Sequence, residues 1–412
     1  MSPKTPSTAL TGAVKHVLVP KLRFAEFRAL EGWKVRQVGE VFKVTRGDVL
    51  SMTLVQDEKS VEASYPVYSS QTKNTGLSGY YSDFLYEDAI TWTTDGANAG
   101  DVNYRAGKFY CTNVCGVLIN TEGHANPCVA ALINSVSKNY VSYVGNPKLM
   151  NGVMSKIAIP FPTVEEQQKI ADCLSSLDEL IATQARKVDS LKTHKKGLMQ
   201  QLFPIEGETQ PRLRFPEFRD VGEWEKKLGT VCDIQRGKFS HRPRNDPKFF
   251  GGKYPFIQTG DVVKSGGGSV IASQSLNEEG LTVSKLFKPM IVLITIAANI
   301  GDTGLLQTEG CFTDSVVELI PYKEVMPVFL ELVMRGQKEN LNKLATTGAQ
   351  KNINNEILRE VSVLLPSVPE QQRIAHCLAS LDDLITAATQ EVETLKTHKK
   401  GLMQQLFPSV AL

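Results

Sequence analysis

Neither sign of charge dominates this chain. Its 412 residues carry 46 lysines and arginines against 44 aspartates and glutamates, a formal net charge of +2. A free-standing nucleic-acid binder normally has a clear basic excess, so any basic footprint here must be local. Apolar runs of membrane length are missing; a spanning helix needs about twenty consecutive apolar residues. No secretory signal pattern opens the chain. Its seven cysteines are scattered and odd in number, which argues against a disulfide framework and for a reducing cytoplasm. Cys111, Cys115, His124 and Cys128 nominally make a four-ligand set. However, residues 109–119 read as one strand-like run, with both cysteines on one face and too far apart for a zinc knuckle. The other half of the chain offers only Cys311. Buried free thiols and no metal are expected.

Catalytic signatures are missing as well. An amino-methyltransferase needs an (N/D)PP(Y/F) motif, and Asn146-Pro147-Lys148-Leu149 lacks the second proline and the aromatic ring. Gly266-Gly267-Gly268 follows no proper strand and lacks the Lys-Ser/Thr ending of a phosphate loop. No acidic–lysine nuclease cluster stands out. The expectation is a chain with no catalytic residue of its own.

What is present is a duplication. The fourteen residues LKTHKKGLMQQLFP occur identically at 191–204 and 395–408, an offset of 204. Each copy ends a segment of about forty residues that opens on a helix-start signal. Thr163 and Ser367 are good N-caps, and Glu166 and Glu370 three residues on complete the pattern of a capping box. Pro369 falls in the first turn, where its missing N–H is harmless. Alternating steps of four and three give Ile170, Leu174, Leu177, Ile181, Gln184, Val188, Leu191, Lys195, Leu198 and Leu202. The second copy gives Ile374, Leu378, Leu381, Ile385, Ala388, Val392, Leu395, Lys399, Leu402 and Leu406. This is a coiled-coil seam. At 1.5 Å per residue each helix would be roughly 60 Å long. Gly197 and Gly401 weaken the last turns, so fraying is expected there, and Pro204 and Pro408 bar continuation.

Charge sets the direction of pairing. Glu165, Glu166, Asp172, Asp178 and Glu179 lie early in the first copy, and Lys187, Lys192, Lys195 and Lys196 lie late. Glu370, Asp382 and Asp383 precede Lys396, Lys399 and Lys400 in the second, with Glu391 and Glu393 blurring the bias. Parallel pairing would put acid against acid. Antiparallel pairing puts acid against base, and each helix then also suits its own macrodipole.

The remainder repeats more loosely. Leu22-Arg23-Phe24-Ala25-Glu26-Phe27-Arg28 returns as Leu213-Arg214-Phe215-Pro216-Glu217-Phe218-Arg219. Trp33 matches Trp224, Arg46-Gly47 matches Arg236-Gly237, and Tyr65-Pro66 matches Tyr254-Pro255. Ala97-Asn98-Ala99-Gly100-Asp101 matches Ala298-Asn299-Ile300-Gly301-Asp302. The expected organisation is a flexible leader (1–19), a globular part (20–162), a long helix (163–204), a linker (205–210), a second globular part (211–366) and a second long helix (367–408). Short apolar runs such as 290–297 and 361–365 read as strands. The fold class is mixed α/β: two globular domains related by an internal pseudo-two-fold repeat and separated by two antiparallel coiled-coil helices. The frames agree while the fillings differ, which suits one scaffold holding two different reading surfaces.

The chain resembles the specificity subunit of type I restriction–modification systems over nearly its whole length. The residues that carry the resemblance are the two PxxxEQQ(K/R)IA…LD(E/D)LI…LKTHKKGLMQQLFP helices, the LRFPEF-type lead-ins, and Lys253-Tyr254-Pro255-Phe256-Ile257 followed by Ala298-Asn299-Ile300-Gly301-Asp302. Ala25, where the second lead-in has Pro216, is a small departure. The resemblance implies two target-recognition domains, each reading one half of a split double-stranded DNA site. It implies long helices that space the domains and dock two methylase subunits, with restriction subunits joining through that core. It also implies that S-adenosylmethionine, ATP and magnesium belong to the partner subunits. The residues themselves leave a rival open, a coiled-coil scaffold whose globular parts bind protein and not DNA.

The local basic footprint is Arg236, Lys238, Arg242, Arg244, Lys248 and Lys253, with His241 among them and Asp246 as the single acid. Arginine and lysine suit phosphates, and arginine also reads guanine in the major groove. Amide and guanidinium types that read base edges cluster at Lys73 and Asn74 (with Gln71), at Asn98, Asn103 and Arg105, and at Gln258, Asn299, Lys351 and Asn352. Arg46 joins the candidates as the repeat of Arg236. Turn chemistry accounts for any one of the amides alone. His194 and His398, in identical helix sequence, suit a surface or subunit contact.

Overall fold

The structure is a computed structural model and describes residues 17–70, 74–205, 207–222, 224, 226–297, 299–346 and 353–408. The chain forms two compact units. One comprises the residues up to Arg186 together with those from Gln390 onward; the other is Lys187–Thr389. The units are therefore not the two globular segments alone. Each also holds half of both long helices, Val164–Leu202 and Val368–Leu406, of 39 residues apiece.

In the first unit six strands make one sheet: β1 (Lys43–Arg46), β2 (Tyr65–Tyr68), β3 (Leu77–Tyr81), β4 (Tyr86–Thr93), β5 (Val102–Cys111) and β6 (Cys115–Ile119), in the order β1-β6-β4-β5-β2-β3. All neighbours are antiparallel except β2 and β5. Side chains alternate between two apolar layers, as the period of a strand requires. Ile90, Trp92 and Leu118 pack towards the helix Pro127–Ser137, while Ala89, Phe109 and Val117 pack on the other face. The expected single strand over 109–119 is instead two, the end of β5 and the whole of β6, which are not neighbours in the sheet because β4 lies between them. Residues 112–114 turn the chain, with Cys115 N–H bonded to Thr112 O at 3.0 Å, so Cys111 ends β5 and Cys115 opens β6. Both thiols are buried, and burial pushes Cys115 up to about 11.

The second unit repeats this path with β7 (Cys232–Arg236), β8 (Phe250–Ile257), β9 (Gln274–Leu276), β10 (Ile291–Thr295), β11 (Thr303–Leu306), β12 (Cys311–Phe312) and β13 (Val316–Pro321). Here the counterpart of β5 is interrupted between Leu306 and Cys311. The sheet consequently divides into β7-β13-β10-β11 and β9-β8-β12. The one parallel contact is kept, between β8 and β12. The run at 361–365 contributes only Ser362–Val363 as strand.

The seam positions of both helices are buried or half-buried, while positions between them such as Asp172, Ser176, Asp383 and Thr386 are exposed. Direction is set by contacts within each unit. In the first, Asp178 accepts from Lys399 Nζ at 2.5 Å, and Gln184 bonds Glu391. In the second, Lys195 Nζ bonds Asp382 at 2.5 Å. Residue numbers rise along one helix as they fall along the other, so the pairing is antiparallel. Lys195 and Lys399, the charged members of the seam, lay their stems in it and reach an aspartate at its edge. Both helices run unbroken past Gly197 and Gly401 to Leu202 and Leu406. Leu202 and Leu406 are buried in the core of their respective units. Gln201 O and Gln405 O accept from Leu213 and Leu22 N–H at 2.9 and 3.0 Å.

Glu166 and Glu370 do not close capping boxes, because an arginine takes their carboxylates. Arg23 Nε and Nη2 donate to Glu166 at 2.8 and 2.7 Å; Arg214 Nε and Nη2 donate to Glu370 at 2.7 and 2.8 Å. Exposure of these four side chains is 7% or less. The spare donors reach backbone carbonyls, Leu30 and Glu31 in one unit, Val221 and Gly222 in the other. The next residue completes the weld. Gln167 donates to Pro162 O and accepts from Asn126, the N-cap of the helix Pro127–Ser137. Gln371 donates to Pro366 O and Glu324 O and accepts from Met326 N–H. The EQQ and LRF strings are thus two halves of one joint.

Contacts also reach into the expected leader and the expected linker. Val17–Leu18, inside the expected leader, pair with Trp33–Lys34 as an edge strand. In the expected linker, Thr209 O accepts from Trp224 N–H at 3.1 Å.

Breaking one partner of a buried, bidentate pair strands the other, at about 3–5 kcal/mol. Glu166→Ala is therefore expected to destabilise the chain by about that much in urea unfolding. Arg23→Met combined with Glu166→Leu should lose less than Glu166→Ala alone, because no charge is left buried.

Candidate nucleic-acid interface

The basic segment of the second unit begins where β7 ends. Arg236 closes the strand, and Gly237 follows because nothing larger fits. A Cβ there would lie 2.2 Å from Thr313 O, and at the equivalent Gly47 one would lie 2.3 Å from Cys111 O. This close approach locks the segment after the strand to a β-turn. Gly237 N–H bonds Val316 O and Lys238 N–H bonds Phe312 O, at 2.9 and 3.1 Å. Beyond it, aromatic residues anchor the loop from below. Phe239 is buried against Phe256 and Phe249, with centroids 5.1 and 6.0 Å away. The neighbouring basic side chains stand outward as a consequence: Lys238, Arg242, Arg244 and Lys248 are all exposed.

The structure brings three of these residues onto one acid that lies some seventy positions away in sequence. Arg244 Nη2 bonds Asp314 Oδ1 at 2.5 Å, Arg242 Nη2 bonds Asp314 Oδ2 at 3.1 Å, and Arg236 Nε bonds Asp314 O at 2.5 Å. Arg242 Nη1 also holds Phe239 O and His241 O at 2.7 and 2.8 Å. Asp246 is occupied with Lys248 at 3.4 Å and His241 at 3.5 Å, and its carboxyl lies below the usual range, chiefly because Lys248 N–H bonds it. Lys253 pairs with Glu278 at 3.0 Å, away from the fan. Three guanidinium groups to one carboxylate leave a surplus of charge and unused N–H donors on an ordered surface, which is what phosphates and guanine edges require.

The other candidates divide. Gln258 caps the helix Thr259–Ser265 and bonds Gln274 at 2.5 Å. Asn299 is exposed in a turn. Lys73, Lys351 and Asn352 lie outside the described residues. In the first unit Asn74 is exposed in a left-handed turn with φ 49°. Asn98 and Asn103 are half-buried, as is Arg46, whose backbone O accepts from Tyr86. Arg105 is not a surface group. It is 8% exposed, its guanidinium stacks 3.7 Å over the Tyr68 ring, and it bonds Thr91 Oγ1 and Thr75 O at 3.0 and 2.6 Å. Burial lowers its pKa. It therefore holds the Asn74–Thr75 turn from beneath. Among the described residues, no group of three or more His, Cys, Asp or Glu could hold a metal, and no helix is long and apolar enough to cross a membrane.

The family model for the type I restriction modification DNA specificity domain matches residues 30–193 and 222–397. The chain belongs to the type I restriction–modification specificity family. It is similar to the specificity subunit of the type I restriction enzyme MjaVIII of Methanocaldococcus jannaschii, at 26% identity over 92% of this chain and 93% of that protein. Its fold is similar to the S subunit of a type I system from M. genitalium, with a TM-score of 0.59 at 16% identity over 96% of this chain and all of that one. A second type I restriction–modification structure, solved for complex assembly and conformational transition, gives a TM-score of 0.58 at 18% identity over 91% of this chain. DNA recognition is the role that membership in the specificity family brings.

Sequence reasoning missed Asp314 and the arginine partners of Glu166 and Glu370. A signal for Asp314 was present: it occupies the turn position that Asn113 holds in the first repeat. For this specificity subunit, Arg242→Ala or Arg244→Ala is expected to weaken binding to its DNA target by about 1–3 kcal/mol where the side chain meets a guanine. Lys248→Ala should weaken binding to all DNA alike and reduce the salt slope by about 1. Fluorescence anisotropy over a salt series separates the two patterns.

Proposed function

We propose that this specificity subunit reads a two-part DNA site, one half with each globular domain, and has no catalysis of its own. The observation that carries the reading is one repeated frame bearing two unlike surfaces. The second domain offers exposed arginines around Asp314. The corresponding part of the first offers Asn113 and Asp48, with amides and tyrosines nearby. A single reader of one symmetric sequence would need the two surfaces to match.

The long helices fix the gap between the two half-sites and dock two methylase subunits, through which restriction subunits join. Leu180 and Leu384, the same position of the repeat, support docking: both are leucines off the seam, 50% and 54% exposed. S-adenosylmethionine, ATP and magnesium enter with those partners. The site of action is the cytoplasm.

Replacing residues 211–366 by the matching region of a relative tests the reading. One half of the methylated sequence should change and the other should stay. A change in both halves would show that the domains are not independent readers. The gap has its own test. One heptad inserted after Ile181 and one after Ile385 keeps the seam in register and adds roughly 10 Å to each helix, equivalent to about three base pairs. The spacer should lengthen, or binding to straight DNA should be lost through the change of rotational phase. An active variant with an unchanged spacer would show that the helices do not set the distance.

A further inference from the structure

We propose that Asp314 is a positioning residue of the DNA-reading surface: it aims the Arg242 and Arg244 guanidinium groups and so sets the preference for one base sequence over others. The inference rests on the reading of residues 211–366 as a DNA-reading domain and names the residue that organises its surface.

Three observations carry it. The first is geometric. The carboxylate gives one oxygen to each arginine, Oδ1 to Arg244 at 2.5 Å and Oδ2 to Arg242 at 3.1 Å. The acid itself is the fixed point. Its turn is closed by Val316 N–H on Thr313 O at 3.0 Å and by Arg236 on its own carbonyl. Arg242 is further pinned by Phe239 O and His241 O, so its fork has little freedom left. Arg244 is held through Nη2 and offers the rest of its five donors.

The second observation is energetic. Both pairs are solvent-exposed, with arginine side chains 52% and 43% accessible, and exposed ion pairs add little to stability. Their value lies in direction. A flexible arginine contacts whatever phosphate is near, whereas a guanidinium held in one plane can match the two acceptors of a guanine edge.

The third is internal to the chain. The first domain has the same Arg-Gly step pressed on the same turn. Yet the turn carries Asn113, and residues 48–62 contain no arginine, only Lys59. The acid occurs in the copy that has arginines to aim.

By charge alone an aspartate in this place repels DNA, so its removal should tighten binding to every duplex. Positioning predicts the opposite sign on the target, which makes the test sharp. Complexes of the full chain with its methylase partner are prepared with Asp314→Ala, Asp314→Asn and Asp314→Glu. Each is titrated with a duplex carrying the motif that methylation mapping assigns to the unsubstituted complex, here the target, and with a scrambled duplex over a salt series. The Ala and Asn variants should bind scrambled DNA at least as tightly as the parent and the target at least tenfold more weakly. Asp314→Glu should recover most of the ratio. In an Arg242→Ala, Arg244→Ala background, Asp314→Ala should leave the ratio unchanged. A ratio within twofold of the parent for both Ala and Asn overturns the proposal, as does an equal loss on both duplexes. If the unsubstituted complex fails to distinguish the duplexes, the DNA-reading function itself falls, and that result needs no substitution to be seen.

Discussion

The geometry of each unit depends on a buried guanidinium–carboxylate pair at the start of a long helix. Arg23 with Glu166, and Arg214 with Glu370, are bidentate and nearly solvent-free. Such pairs add little net stability, because desolvation offsets most of the attraction. What they provide is uniqueness. A bidentate fork fixes both the distance and the rotation of the helix start against the globular part, and Gln167 or Gln371 fixes the adjoining turn. A helix is stiff over many turns, so an angle set at its first turn is carried along its length. Without this joint, a paired helix could still form, but the reading surface would have no defined bearing on it.

The seam supplies the second constraint. Ile170, Leu174 and their repeats bury apolar area on one stripe, and Lys195 and Lys399 place a charge at the edge of it. In each unit that lysine finds the aspartate of the facing helix. A parallel arrangement would have left these lysines facing lysines. The choice of direction is thus made by two pairs at the edge of the seam, each a half-buried lysine reaching an exposed aspartate, which is the use to which charge is often put in coiled coils.

Much of this was legible in the sequence because it is periodic or repeated. The heptad pattern located both helices, the acid-to-base gradient gave their direction, and the repeat of Arg46-Gly47 as Arg236-Gly237 marked equivalent positions. The missing parts are those where a local rule competes with a distant partner. Glu166 has the spacing of a capping box, yet Arg23, 143 residues away, takes its carboxylate. Residues 109–119 read as one apolar run, because the turn at 112–114 lacks glycine and proline. Arg105 has the chemistry of a base reader, but a place in the sheet beside Tyr68 buries it. Asp314 lies outside the basic segment, and only the fold brings it there.

One frame used twice, with unlike surfaces, suits a protein that reads two different half-sites a fixed distance apart. The most direct test is to map every methylated adenine in DNA from cells that make this chain with its methylase partners, by single-molecule sequencing. One bipartite, non-palindromic motif with a constant gap is expected, lost when the chain is deleted. A continuous motif, a palindrome, or a methylation pattern indifferent to the chain would contradict it.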